Sequence, residues 1–163
     1  MLTQNRLKEL FSYNPLTGVF TRKVKLAYKS KIGEVVGCLT KAGYLTAQVN
    51  GKLYSLHRLA YLYMTGNWPD ITDHINGVKN DNRWTNLRSC TQQQNTFNKK
   101  ISSNNTSGVK GVCWEASRKK WRVSVSNRNV GRFDSLEEAT IVAKRLQEEV
   151  QGVYAYSNRE SLC

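Results

Sequence analysis

Ile71-Thr72-Asp73-His74-Ile75-Asn76-Gly77, continued by Asn80-Asp81-Asn82-Arg83, Thr85-Asn86-Leu87-Arg88 and Thr91-Gln92-Gln93-Gln94-Asn95, is the stretch on which the reading of this chain turns. An Asp-His doublet on a short strand sets a hard oxygen ligand beside an imidazole. Charge in a segment otherwise apolar and rich in turn residues is costly unless it is used, so the doublet implies that something is bound there. Thr91-x-x-Gln94 has the form of a capping box, which puts Asn95 in the first turn of a helix, where its amide oxygen can point back at a cation held by Asp73.

Upstream of this stretch, Leu7, Leu10 and Phe11 recur at helical spacing from Asn5, and Asn14-Pro15-Leu16-Thr17-Gly18 reads as a turn. Lys23, Lys25, Lys29 and Lys31 follow with no acid among them, as either a solvated loop or a phosphate-facing one. Leu45, Ala47 and Val49 then alternate with Tyr44, Thr46 and Gln48. Asn50-Gly51 and a second run from Lys52 to Leu56 complete a hairpin signature, because a type I′ turn needs positive φ at both central residues. From His57 to Met64 the period becomes helical, stopping at Gly66-Asn67-Trp68-Pro69.

Downstream, Ile101 to Gly108 is almost wholly polar and marks a boundary. Three short apolar runs, Val109 to Trp114, Trp121 to Ser126 and Val130 to Phe133, predict a three-stranded meander. Ser135-Leu136-Glu137-Glu138 is a capping box in which the Ser135 hydroxyl meets the Glu138 amide. It opens a helix with Leu136, Ala139, Ala143, Leu146 and Val150 on one stripe. The sheet is the basic face of this module and the helix its acidic back. Trp121, Val123 and Val125 point to the helix and Arg122, Ser124 and Ser126 outward, on a sheet able to enter a major groove.

The whole chain of 163 residues carries 25 Lys plus Arg against 12 Asp plus Glu, a formal net charge of +13, with 39% apolar residues. That combination is a folded chain with a polyanionic partner, nucleic acid first. Cys38, Cys90, Cys113 and Cys163 form no Cys-x-x-Cys pair, and the two histidines cannot complete zinc-finger ligand sets, so free thiols in a reducing cytoplasm are expected. The first residues lack an apolar signal region, and no run approaches a membrane span.

The residues from Tyr54 to Lys100, through His57-Arg58-Leu59-Ala60, Asp73-His74-Ile75-Asn76-Gly77, Asn80-Asp81-Asn82-Arg83, Thr85-Asn86-Leu87-Arg88 and Asn95, resemble the HNH endonucleases with a ββα-metal core, in the branch common among phage and intron homing enzymes. The Leu10 to Val19 and Gly43 to Gly51 segments look like the leader found before such cores. The resemblance implies that His74 is the general base, Asp73 a metal ligand, and Asn86 the residue that fixes the loop orienting the histidine. Asn95, or Asn98 three residues on, is the second ligand. A His-Asn-Asn set favours one hard ion per site, Mg²⁺ or Mn²⁺, over zinc. Double-stranded DNA is the implied substrate, cut to 5′-phosphate and 3′-hydroxyl ends by a monomer or homodimer.

Ser107-Gly108-Val109-Lys110-Gly111-Val112-Cys113-Trp114, Lys120-Trp121-Arg122-Val123 and Gly131-Arg132-Phe133-Asp134-Ser135-Leu136-Glu137-Glu138-Ala139 resemble the Apetala-type DNA-binding domain of plant ethylene-response factors. That likeness implies DNA contacts from Lys110, Trp114, Arg122 and Arg132. The charged turn adds Arg118 and Lys120, with a solvated loop as the plainer alternative. Trp114 reads equally as core. His57 reads as a structural residue bonded to backbone near the site, with an auxiliary ligand role as the alternative. Asn76-Gly77, Asn80 and Asn82 read as turn formers.

The expected architecture is α+β: a β-rich leader over 1–52, a ββα-metal core over 53–100, a linker over 101–107 and, over 108–163, a three-stranded antiparallel sheet on one helix. The expected activity is metal-dependent, site-specific DNA cleavage of the phage homing or nicking kind. A non-cleaving DNA-binding regulator that uses the C-terminal sheet is the rival, and an RNA-directed protein a more distant one.

Overall fold

The computed structural model describes residues 1–25, 28, 30–98 and 101–154; Lys29 of the basic stretch, Cys163 and the end of the C-terminal module lie outside them. The protein is α+β, built from small antiparallel sheets and short helices in two compact units, Met1–Gln92 and Gln93–Cys163.

In the first unit, α1 (Gln4–Leu10) is capped by the Thr3 hydroxyl, which accepts from the Arg6 amide at 3.3 Å, and buries Leu7 and Leu10. Phe11 leaves the helix with extended backbone and opens β1 (Phe11–Asn14), which pairs with β2 (Val19–Arg22). The turn between them is tied by the Asn14 side-chain oxygen, which accepts from Leu16 N at 2.9 Å and Thr17 N at 3.3 Å. β3 (Val35–Val36) completes that sheet against β2.

A second sheet orders β4 (Cys38–Leu39), β5 (Leu45–Val49) and β6 (Lys52–Ser55). The expected hairpin is present: Asn50 at φ 49° and Gly51 at φ 77° make the two positive-φ centres of its turn. α2 (Leu56–Thr65) follows and ends at Gly66, whose left-handed φ of 79° suits a residue without a Cβ. Leu56, Leu59 and Leu62 of α2 join Leu7, Leu10, Phe11, Phe20 and Val49 in one core. On its flank, β7 (Ile71–His74) pairs antiparallel with β8 (Leu87–Cys90), setting Asp73 opposite Arg88 and His74 opposite Leu87. The chain between them carries a 3₁₀ turn at Trp84–Asn86. α3 (Gln92–Phe97) comes next in the chain.

The second unit holds the meander β9 (Val112–Glu115), β10 (Lys120–Val125) and β11 (Arg128–Phe133), in sequential antiparallel order, and α4 (Leu136–Gln151). Val112, Val123, Val125, Ala139 and Ala143 form its core, with Trp121, Phe133, Leu136 and Leu146 packed against them. Two expectations for α4 are corrected. The Ser135 hydroxyl accepts from the Glu137 amide at 3.1 Å, one residue earlier than a capping box requires. Val150 is 56% exposed, and Gln147 takes the buried position beside it because its amide donates to the Lys110 carbonyl at 2.6 Å. The polar run before Gly108 is knitted to this unit: Ser107 Oγ donates to the Val112 carbonyl at 2.7 Å and Asn105 Nδ2 to the Val109 carbonyl at 2.9 Å.

Candidate active site

Strand β7 ends on two buried polar side chains in succession. Neighbouring residues of a strand face opposite ways, so Asp73 and His74 are sent in different directions, yet both are buried, His74 to 4% exposure. The carboxylate goes to its cross-strand partner: Arg88 Nε and Nη2 donate to Asp73 Oδ2 at 3.0 and 2.8 Å. The imidazole goes into a cluster of rings. His57, from the first turn of α2, meets it edge to face with centroids 4.9 Å apart, and Tyr44 lies 5.4 Å from His57 and 6.1 Å from His74. Lys79 places its ammonium over the Tyr44 ring at 5.0 Å while donating to the Ala42 carbonyl at 3.0 Å.

The Nε2 atom of His74 stands 3.1 Å from the side-chain oxygen of Asn82. Burial pushes the His74 pKa below its ordinary value, against the Asn82 bond and the Asp73 and Asp81 carboxylates, which act the other way. Burial, with His74 and Arg58 nearby, takes His57 down to about 3. A histidine kept neutral near pH 7 can accept a proton.

Asn86 closes the loop beneath this cluster. Its Oδ1 accepts from the Asn76 amide at 2.9 Å and its Nδ2 donates to the Asp81 carbonyl at 2.8 Å, spanning ten residues with one side chain. Asp81 is itself fixed by Arg83 Nε at 2.8 Å and Asn76 Nδ2 at 2.8 Å, contacts that, with Arg83 foremost, hold its carboxyl down to about 2.

Asp73, His74, Asn86 and His57 are thus gathered in the first unit, while Asn95, half-buried in α3, and the buried Asn98 belong to the second. Two readings change. His57 is not bonded to backbone through Nδ1, which is buried with no hydrogen-bond partner. Asn82 is not a turn former bonded to its own backbone: it is 2% exposed, and its side chain meets the imidazole. Nothing in its spacing from His74 announces that role, since only the folding back of the β7–β8 loop brings the two together. Arg88 was also missed as a partner of Asp73, although the antiparallel pairing of two flanking strands could have found it.

In the second unit the basic residues divide. Arg122 and Arg132 are cross-strand neighbours on one face of the sheet, with Glu115 and Lys120 paired alongside on that face. Glu115 Oε2 accepts from Arg132 Nε at 2.7 Å and its other oxygen lies 3.2 Å from Arg118, while Lys120 reaches Asp134 at 3.2 Å. Trp114 is elsewhere. It sits opposite Trp121, hence on the helix side of the sheet, with the two rings 5.1 Å apart and Trp114 still 44% exposed. Lys110 is also engaged otherwise: its ammonium donates to the Phe97 and Thr96 carbonyls at 2.8 and 3.3 Å, closing the C-terminal end of α3.

Residues 54–97, which hold His57, Asp73, His74, Asn86 and Asn95, match the family described as HNH endonuclease. The chain is 36% identical over 128 residues to an uncharacterized HNH endonuclease, L560, of Acanthamoeba polyphaga mimivirus, across 74% of this chain and 65% of that protein. It is 33% identical over 86 residues to Protein 3.8 of Escherichia phage T7, across 51% of this chain and 71% of that protein. The chain carries an HNH endonuclease segment. It spans just under two thirds of the mimivirus relative's length. No solved structure matches it.

HNH nucleases generally depend on a divalent metal. Among the described residues, no three His, Cys, Asp or Glu side chains gather as a metal cage. The HNH segment holds three carboxylates, Asp70, Asp73 and Asp81, and several asparagine amides, oxygen donors of the kind that suits a hard ion keeping most of its waters. No described helix is long and apolar enough to cross a membrane.

Proposed function

We propose that this protein is a metal-dependent DNA endonuclease that hydrolyses phosphodiester bonds to 5′-phosphate and 3′-hydroxyl ends, as a site-specific homing or nicking enzyme of the phage type. The observation that carries the reading is a neutral, buried imidazole, His74, adjacent in the chain to a buried carboxylate, Asp73, in the segment that matches the HNH family. His74 takes the proton from the attacking water. Asn86 holds the loop that presents it. Asp73 and Asn95 would hold one Mg²⁺ or Mn²⁺ in a ββα-metal core, with Asn98 the alternative to Asn95. The ion would supply charge for the phosphate and the departing oxygen. Arg88 aims the Asp73 carboxylate through two donated hydrogen bonds.

The C-terminal module supports DNA binding of the Apetala type through its outer face. Arg122, Arg132 and Lys120 on the sheet and Arg118 in its turn outnumber Glu115 and Asp134, with which three of them pair, and leave a net positive charge on a sheet of suitable width. Trp114 serves packing, because it stands on the other face. Lys110 serves structure, through the α3 carbonyls.

Plasmid DNA incubated with Mg²⁺ or Mn²⁺ should be nicked or linearised, and His74→Ala should abolish cutting while DNA affinity holds. Equal cutting by both proteins refutes the assignment of His74. Tight binding without scission by the unaltered protein leaves the regulator reading instead.

A further inference from the structure

Asn82 is the most deeply buried polar residue described, and the fold grips it from several directions. Its side-chain oxygen meets His74 Nε2 at 3.1 Å. Its backbone carbonyl accepts from the Tyr13 hydroxyl of β1 at 2.7 Å. Burial, helped by Asp81, raises the Tyr13 hydroxyl to about 12, so it remains a donor throughout the physiological range. The turn before β2 presses against the same peptide: a Cβ on Gly18, whose φ is +73°, would lie 2.4 Å from the Asn82 carbonyl carbon and 2.5 Å from Arg83 N. Only glycine fits there. Two residues beyond Asn82, Trp84 N donates to the Pro15 carbonyl of that turn at 2.9 Å.

Stability does not explain the amide. Asn82 Nδ2 is buried with no hydrogen-bond partner, an arrangement that costs rather than contributes free energy. The oxygen explains it. A neutral imidazole carries its proton on either nitrogen, and only the nitrogen without it can act as a base. An amide oxygen can only accept, so the atom facing it must be Nε2–H.

We propose that Asn82 is a positioning residue that fixes His74 as the Nε2–H tautomer, making Nδ1 the proton-accepting atom, and that the β1–β2 hairpin is the platform that holds Asn82 there. The proposal rests on the reading of His74 as the general base. It makes the N-terminal segment part of the catalytic apparatus: the hairpin acts on the reaction through two peptide contacts and one side chain, without touching DNA.

The chain has only two histidines, so long-range ¹H–¹⁵N spectra of the full-length protein resolve both rings, and His57→Gln assigns them. His74 should show the Nε2–H pattern at neutral pH. Asn82→Ala should move it to tautomer-averaged shifts and lower single-turnover plasmid cleavage by about 10- to 100-fold, the usual range for an orienting partner, with DNA affinity unchanged. Asn82→Asp, which keeps the acceptor, should retain the tautomer. Gly18→Ala should act like Asn82→Ala. Should that variant not fold, Tyr13→Phe, which removes one oxygen, should give the same change in smaller measure. An Nδ1–H pattern in the unaltered protein, or ring shifts indifferent to Asn82→Ala, overturns the proposal. A protein that binds DNA without cutting it under either ion overturns the endonuclease reading, and the ring spectra still decide the tautomer.

Discussion

His57 and His74 meet edge to face, ring centroids 4.9 Å apart and planes inclined at 71°, so the only two imidazoles of the chain are buried against each other. Two protonated rings cannot share that space, and burial already disfavours charging either one. Their helix and strand come from segments that look independent in sequence, and the contact ties α2 to β7.

That contact fixes how stability depends on pH. The folded His57 titrates down at about 3, against about 6.5 when unfolded. Between those values the unfolded chain binds a proton that the folded one refuses, so stability falls as pH is lowered through this window. The slope is up to about 1.4 kcal/mol per pH unit for one such group, with His74 acting in the same direction. Urea unfolding from pH 6.5 to 4 should show the decline, and His57→Gln should remove about one proton's worth of slope. A flat profile in the unaltered protein contradicts the burial.

Asn86 joins the Asn76 amide and the Asp81 carbonyl across the β7–β8 loop. Asn86→Ala leaves one part-buried donor and one part-buried acceptor without their partner, at roughly 1 kcal/mol for each, the low end for groups that water can partly reach. Thermal unfolding should report that loss, and cleavage should fall further than stability alone accounts for. Asn86→Asp keeps the acceptor and loses the donor, so it should lie between the two. A fully stable Asn86→Ala with normal cutting would count against the loop-fixing role.

Arg88 and Asp73 form a buried ion pair. Arg88→Leu removes the cation but leaves the carboxylate in place, which destabilises by roughly 3 kcal/mol for a pair of this burial. Doubling the change with Asp73→Leu should recover part of the loss, because two apolar groups need no partner. Chemical denaturation of the two single variants and the double variant measures the coupling, and strictly additive effects argue against it.

Lys110 and Arg122 should separate structure from recognition in the second unit. Lys110→Ala removes the ammonium from the α3 carbonyls, so it should lower the melting temperature while leaving the salt dependence of DNA binding in place. Arg122→Ala should do the reverse, with little change in melting and a log–log salt slope reduced by about 1. Fluorescence anisotropy at several salt concentrations distinguishes them, and a reduced slope for Lys110→Ala would move it back among the DNA contacts.

The sequence by itself determined what depends on neighbours along the chain. Asn50-Gly51 set the hairpin because its turn angles are a local requirement, Gly66 stopped α2 for the same reason, and the alternation of Trp121, Val123 and Val125 fixed which face of β10 packs. The HNH segment was legible because its residues recur in order. Tertiary structure alone decided the partners. Asn82 became the neighbour of His74, Arg88 that of Asp73, and Gly18 the floor beneath Asn82, because hydrogen bonds act over about 3 Å in space and take no account of separation along the chain. Trp114 fell on the helix side of its sheet, and Lys110 under α3, by strand register and by the route of the chain. Periodicity reports which way a residue points; only packing reports what waits there.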